Sequence, residues 1–228
     1  MGGAKRQAGG LGHAEGFFKK LGARYKRIRK RCKGRPDPDW YAHKREALAE
    51  LERLSRQSHI DLFYGDETCV SSEGYVPYGW QFAGEDVYVP SAKGHKVNIW
   101  GLFSRGNRCH CQTSQTNITA RFVLGELERL SLSIRKPTVV VLDQARIHTA
   151  GLIRERLAVW QQRGLFVFYL PVCSPQLNMA EIVWRRLKGQ WLRPEDYLDG
   201  DTLAYAVNRC LANFGGHLKI HFLDFNIS

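Results

Sequence analysis

The 228-residue sequence predicts an α/β domain: a mixed five-stranded sheet flanked by helices, preceded by a basic helical arm. Three observations carry this. Beyond residue 60, short runs rich in β-branched and aromatic residues alternate with segments of helical periodicity, the order that builds parallel strands joined by crossover helices. Two early runs are joined by Arg105-Gly106-Asn107, a hairpin signal, so part of the sheet is antiparallel. The formal net charge of +12 is uneven, with 16 Lys/Arg against 6 Asp/Glu in residues 1–58 and 18 against 16 in residues 59–228. The first block reads as an arm and the second as a near-neutral globular domain.

Taken in order, residues 1–16 are glycine-rich and polar. Residues 17–35, "FFKKLGARYKRIRKRCKGR", hold ten Lys/Arg and no acid. Phe17, Phe18 and Leu21 line one face of a short helix that Gly22 ends. "RPDPDW" reads as a linker because of its two prolines. A helix is expected over 39–57, with Ala47, Leu48, Leu51 and Leu54 on one face. "IDLFYGDET" is a strand ending near Asp66, and a turn-rich stretch covers 71–96. "KVNIWGLFSR" and "RCHCQTSQT" are the hairpin strands. "TARFVLGELERLSLSI" is an amphipathic helix capped by Thr119, its apolar side Phe122, Leu124, Leu127, Leu130 and Leu132. The strand "TVVVLD", a helix over 150–162, the strand "LFVFYL", a helix over 179–192 and a helix over 201–214 complete the chain.

Hydrophobic content is 43%, enough for a core, yet no apolar run approaches the ~18 residues of a membrane span. The N-terminus has no secretory apolar region, so a membrane partner is not expected. Six scattered cysteines without a C-x-x-C pair suit a reducing cytoplasm. Cys109 and Cys111 flank His110 and invite a zinc reading. Strand alternation instead puts both thiols on one face as small core groups, and no second ligand cluster accompanies them. The arm's cations, Lys19, Lys20, Arg24, Lys26, Arg27, Arg29, Lys30, Arg31, Lys33 and Arg35, suit a polyanion such as DNA, bound through its phosphates.

Three carboxylates stand out. Asp66 and Asp143 close strands that would be neighbours, and ligand sites in open α/β sheets lie beyond strand carboxyl ends. Glu181 opens a helix one loop after the strand "LFVFYL". Two such aspartates side by side repel, and a divalent cation removes the conflict. An oxygen-only donor set suits Mg²⁺ or Mn²⁺, and two such ions can clamp both oxygens of a phosphodiester displacement. Structural roles stay open for each residue. Asp143 suits a turn or cap, Asp66 a turn, and Asn178 with Glu181 a capping box. On the same helix Ala180, Trp184, Leu187 and Trp191 form an apolar stripe. Glu181, Arg185 and Lys188 form a polar one, able to hold a ligand and then DNA phosphates.

Three blocks resemble mariner-type transposases, in particular the branch found in bacterial insertion sequences. These are "FYGDETCVSSEGYVPYGWQFAGE", "VVVLDQARIHTA" and "YLPVCSPQLNMAEIVWRRLKGQ". The resemblance implies a ribonuclease H-like fold. It implies an Asp66, Asp143, Glu181 triad holding two Mg²⁺ or Mn²⁺ ions. It also implies DNA cleavage at transposon ends with 3′-hydroxyl strand transfer, and a homodimer that joins two ends in the bacterial cytoplasm and nucleoid. His148 matches the family histidine and is expected, with Gln144 and Asn178, just outside the metal ligands. Trp80 and Trp184 match family tryptophans and are expected to pack. Gln144 stands where the family usually has Asn, and Met179 where it has Pro. The family usually carries two helix-turn-helix subdomains before the catalytic domain, whereas here residues 1–58 match only the end of that region. The chain is thus expected to be N-terminally truncated, and the alternative to an active enzyme is a catalytically silent remnant that binds DNA non-specifically.

Overall fold

A computed structural model describes residues 37–72 and 94–223. The basic arm over residues 19–35 and Trp80 lie outside the described residues. The first element is α1 (Pro38–Arg56). Pro38, read from sequence as linker, is helical instead. Pro38 takes a first-turn position, where a missing N–H costs nothing, and the Asp37 carboxylate accepts the Trp40 N–H at 2.9 Å. The strands are β1 (Asp61–Ser71), β2 (Lys96–Phe103), β3 (Cys109–Ser114), β4 (Thr138–Leu142) and β5 (Leu165–Tyr169). Between them run α2 (Ala120–Ser133), α3 (Gly151–Arg154) and α4 (Leu157–Gln162); α5 (Ala180–Arg186) and α6 (Gly200–Asn213) follow. The Thr119 hydroxyl caps α2 as expected, accepting the Phe122 N–H.

The sheet order is β3-β2-β1-β4-β5, with β1, β2 and β3 antiparallel and β1, β4 and β5 parallel. This is the mixed five-stranded sheet the sequence predicts. Pleat alternation separates two cores. One face carries Leu62, Tyr64, Val139 and Val141 against α1, α5 and α6, with Leu48, Trp184, Leu203 and Val207 in contact. The other carries Phe63, Trp100, Val140 and Leu142 against α2, α3 and α4. Cys109 and Cys111 pack against the first core, while His110 meets the Phe63 ring on the other side.

Several boundaries differ from the sequence reading. Strand β1 runs five residues past Asp66, because its antiparallel pairing with β2 continues to Ser71 opposite Lys96. Its parallel pairing with β4 stops at Tyr64 opposite Val141, so Asp66 stands just beyond the parallel ladder. The helix over 150–162 is two short helices, broken where Arg156 reaches back to Glu128 of α2. The helix over 179–192 passes at Leu187 into one wider π turn over Leu187–Trp191. Leu132 is 69% exposed, since it lies more than half a helical turn from the buried stripe of Val123, Leu127 and Leu130.

One glycine fixes how α5 meets the sheet. Gly101 of β2 lies directly opposite Asp66. A Cβ there would stand 2.5 Å from the Phe103 ring and 2.8 Å from the Trp184 ring. The two rings meet edge to face with centroids 4.9 Å apart, and neither has flexible atoms that could yield. Gly101→Ala is expected to lower unfolding free energy by about 1–3 kcal/mol. Chemical denaturation measures this, and an unchanged midpoint would show that Trp184 does not rest on the sheet at that point.

Candidate active site

The alternation that sorts the cores also sorts the acids. Asp66 follows Leu62 and Tyr64 on the α5 side of β1. Asp143, one step beyond Leu142, follows Val139 and Val141 toward the same side. Glu181 lies in the first turn of α5. Asp66 takes the consequence: its carboxyl is pushed up to about 8 by burial and by the nearby charges of Glu67, Glu181 and Asp143, opposed by a hydrogen bond from Trp184. The Trp184 indole Nε1–H donates to Asp66 Oδ2 at 3.0 Å, and the Glu67 N–H donates to Oδ1 at 2.9 Å. Trp184, expected only to pack, therefore also orients a site carboxylate.

Asp143 is held differently. Its Oδ1 accepts the Ala145 N–H at 2.9 Å and lies 2.6 Å from His148 Nδ1. Burial raises its proton affinity, but the His148 and Ala145 hydrogen bonds outweigh this and hold it below the usual carboxylate range. The turn role foreseen for Asp143 and a site role thus coexist, since the turn engages one oxygen. His148 is fully buried under the strand end. Desolvation opposes its charge, yet hydrogen bonds to Asp143 and Glu67 and their charges raise it to about 9. At neutral pH it is an imidazolium between two carboxylates.

Asn178 does not form the expected capping box. Its own N–H goes to the Pro175 carbonyl at 2.9 Å. Its side chain accepts the Ala180 N–H at 3.1 Å and donates to the Gly65 carbonyl at 3.1 Å. The start of α5 is therefore pinned to the strand residue beside Asp66, and the exposed Glu181 carboxylate is not used in a cap. Gln144 also departs from expectation. Its amide donates to the Leu170 carbonyl at 2.9 Å, bracing the ends of β4 and β5 rather than reaching the carboxylates. Met179, where the family pattern has Pro, is buried in the core beside α5.

The polar stripe of α5 divides. Arg185 is exposed, whereas Lys188 is half-buried. Burial lowers the Lys188 amine, and the charges of Cys69, Glu181 and Asp66 act against that loss. Lys188 thus lies within electrostatic range of Glu181 and Asp66. Sequence reasoning missed Glu67, whose Oε2 lies 3.1 Å from His148 Nε2. Its signal was available: in a strand, the neighbour of a site residue points into the opposite layer.

In charge and donor type the three carboxylates fit a hard divalent cation. The crowding that pushes Asp66 to about 8 is the conflict a cation relieves. Among the described residues no group of three or more His, Cys, Asp or Glu side chains is gathered closely enough to hold a metal ion. The acids interact through their charges without converging on one point. No helix among the described residues is long and apolar enough to cross a membrane.

A family model described as "DDE superfamily endonuclease" matches residues 61–204, which contain Asp66, Asp143 and Glu181. The chain is 26% identical over 152 residues to the insertion element IS630 uncharacterized 39 kDa protein of Shigella sonnei. That alignment covers 64% of this chain and 43% of the relative, so the chain spans less than half of that protein's length. Among solved structures, a Mos1 strand transfer complex aligns over 89% of this chain and 67% of its own, at 14% identity and a TM-score of 0.46. The catalytic core domain of BIV integrase aligns over 67% and 83%, at 15% identity and 0.41. With its model covering most of the chain and all three acids, the chain belongs to the DDE superfamily endonucleases.

Proposed function

We propose that this chain is the catalytic domain of an insertion-element transposase, cutting DNA at the element's ends and joining the freed 3′-hydroxyl to target DNA. The observation that carries the reading is that Trp184 and Asn178 tie the helix bearing Glu181 to Asp66 and Gly65 of β1, inside the family-matched segment that also holds Asp143. Asp66, Asp143 and Glu181 would hold a pair of divalent cations, which when bound supply the Lewis acidity that activates water or a 3′-hydroxyl against a phosphodiester. Magnesium and manganese are the candidates, and Mos1 paired-end complexes have been solved with each. Trp184 fixes Asp66, His148 fixes Asp143, and Asn178 sets the start of the helix that bears Glu181. Arg185, exposed one turn from Glu181, suits a DNA phosphate, and Lys188 suits the charge that develops close to the carboxylates. The cationic arm, Lys19 through Arg35, would add sequence-independent affinity that falls with salt. A homodimer that pairs two DNA ends belongs to the same reading and rests on the resemblance.

The direct test is Mg²⁺- or Mn²⁺-dependent nicking of DNA carrying the element's ends. Asp143→Ala is expected to reduce it to below about one hundredth of wild type, beyond the 10–100-fold typical of outer-sphere losses. Undiminished nicking by that variant would sink the enzymatic reading, and so would a wild-type chain that binds DNA without cutting it.

A second expectation concerns pH. The folded-state proton affinity of Asp66 is raised, so its stabilising contribution is complete below the ordinary carboxylate range and is lost as pH rises through about 8. Cation binding must displace that proton. Mn²⁺ affinity, measured by calorimetry on the DNA-free protein, is therefore expected to rise roughly tenfold per pH unit up to about 8 and then level off. Asp66→Asn should abolish the slope, and a pH-independent affinity in the wild type contradicts the assignment.

A further inference from the structure

We propose that Glu67 is a positioning residue, which by clamping the far side of His148 holds Asp143 in one orientation. The proposal rests on the reading of Asp143 as a metal ligand and goes one shell beyond it.

Glu67 points away from the face of β1 that carries Asp66. It lies opposite Trp100 in the β1–β2 register, on the face that also carries Phe63. That layer is apolar, packed with Leu102, Val140 and Leu142. The Glu67 side chain stays 34% exposed, but its Oε2 is turned inward, where a carboxylate oxygen needs a compensating partner. The partner is His148: Glu67 Oε2 and His148 Nε2 are both sealed from solvent and lie 3.1 Å apart, an ion-pair contact outside hydrogen-bond geometry.

His148 is itself fixed on every side. Nδ1 meets Asp143 Oδ1 at 2.6 Å, and Trp100 packs edge to face on the ring with centroids 5.5 Å apart. The Tyr169 hydroxyl donates to the His148 carbonyl at 2.9 Å, tying its backbone to β5. The hydrogen bond at Nδ1 and the ion-pair contact at Nε2 together oppose a flip of the ring away from Asp143. Asp143 Oδ1 is thereby held on the protein side by His148 and the Ala145 N–H. Rotation about the side chain is stopped, and Oδ2 is left for the site.

Glu67 and Asp66 are consecutive, so one peptide of β1 serves both sides of the sheet. Asp66 faces the site directly, and Glu67 reaches it from beneath through the ring. The chain Glu67–His148–Asp143 has the form of the outer hydrogen bonds that orient metal ligands, whose loss commonly weakens metal binding about 10–100-fold.

The probe is Mn²⁺ alone, titrated calorimetrically into the full chain without DNA. Glu67→Leu keeps the side-chain volume and suits the apolar layer while deleting the clamp. It is expected to weaken Mn²⁺ affinity by about 10–100-fold. In a His148→Gln background the same substitution should add nothing, because Glu67 acts only through that ring. Additive losses in the double variant would overturn the proposal, since a purely structural residue gives that result. Should Glu67→Leu not fold, Glu67→Asp is the second variant. It keeps the charge, withdraws the carboxylate by one methylene, and is expected to weaken Mn²⁺ in the same direction by less. Wild-type affinity in whichever variant folds also overturns the proposal. Asp143→Ala separates the two levels. If it abolishes Mn²⁺ binding while the Glu67 variants bind as wild type, only the positioning role fails. If it leaves Mn²⁺ binding intact, the metal-ligand reading fails and the positioning role with it.

Discussion

Asp66 is mostly withdrawn from water with the charges of Glu67, Glu181 and Asp143 around it, and its proton affinity rises to about 8 as a result. Carboxylates brought together in a low-dielectric setting cannot all ionise without compensation. Much of the surrounding architecture answers that strain. The Trp184 indole donates to Asp66, the His148 ring lies between Asp143 and Glu67, and the half-buried Lys188 feels the charges of Glu181 and Asp66. What these groups leave uncompensated is the charge that a divalent cation would neutralise.

The sheet turns this into a layered device. Alternation along β1 sends Asp66 up toward α5 and Glu67 down toward α2 and α3. The parallel ladder with β4 ends at Tyr64, which frees the next residues to diverge from β4 and opens room around the end of that strand. Asn178 then binds α5 to the Gly65 carbonyl, so the helix that carries Glu181 is registered to the strand that carries Asp66. Gly101 supplies the clearance that lets Trp184 approach. Three carboxylates far apart in sequence are related by backbone contacts that are short and few.

The three acids were legible because Asp66 and Asp143 each follow an apolar run, Glu181 opens a helix, and the blocks around Asp143 and Glu181 are distinctive. The strand order after residue 60 was legible from alternation and the Asn107 hairpin. What was hidden depends on non-local pairing. The length of β1 is set by β2, thirty residues away, so the strand could not be ended correctly from its own composition. Asn178 followed by Glu181 fits a capping pattern, yet tertiary contact with Gly65 redirected the amide. Gln144 stood out for differing from the family pattern near the acids, and its amide proved to be spent on Leu170. Glu67 was overlooked because it looks like an ordinary polar strand residue until its buried partner is known.

The central claim is that Asp66, Asp143 and Glu181 form one cation site. Anomalous scattering from crystals soaked in Mn²⁺ tests it without reference to activity or DNA. The account predicts a manganese peak within bonding distance of carboxylate oxygens of Asp66 and Asp143, with Glu181 drawn toward it. Manganese bound elsewhere on the chain, with these three side chains left apart, would contradict it.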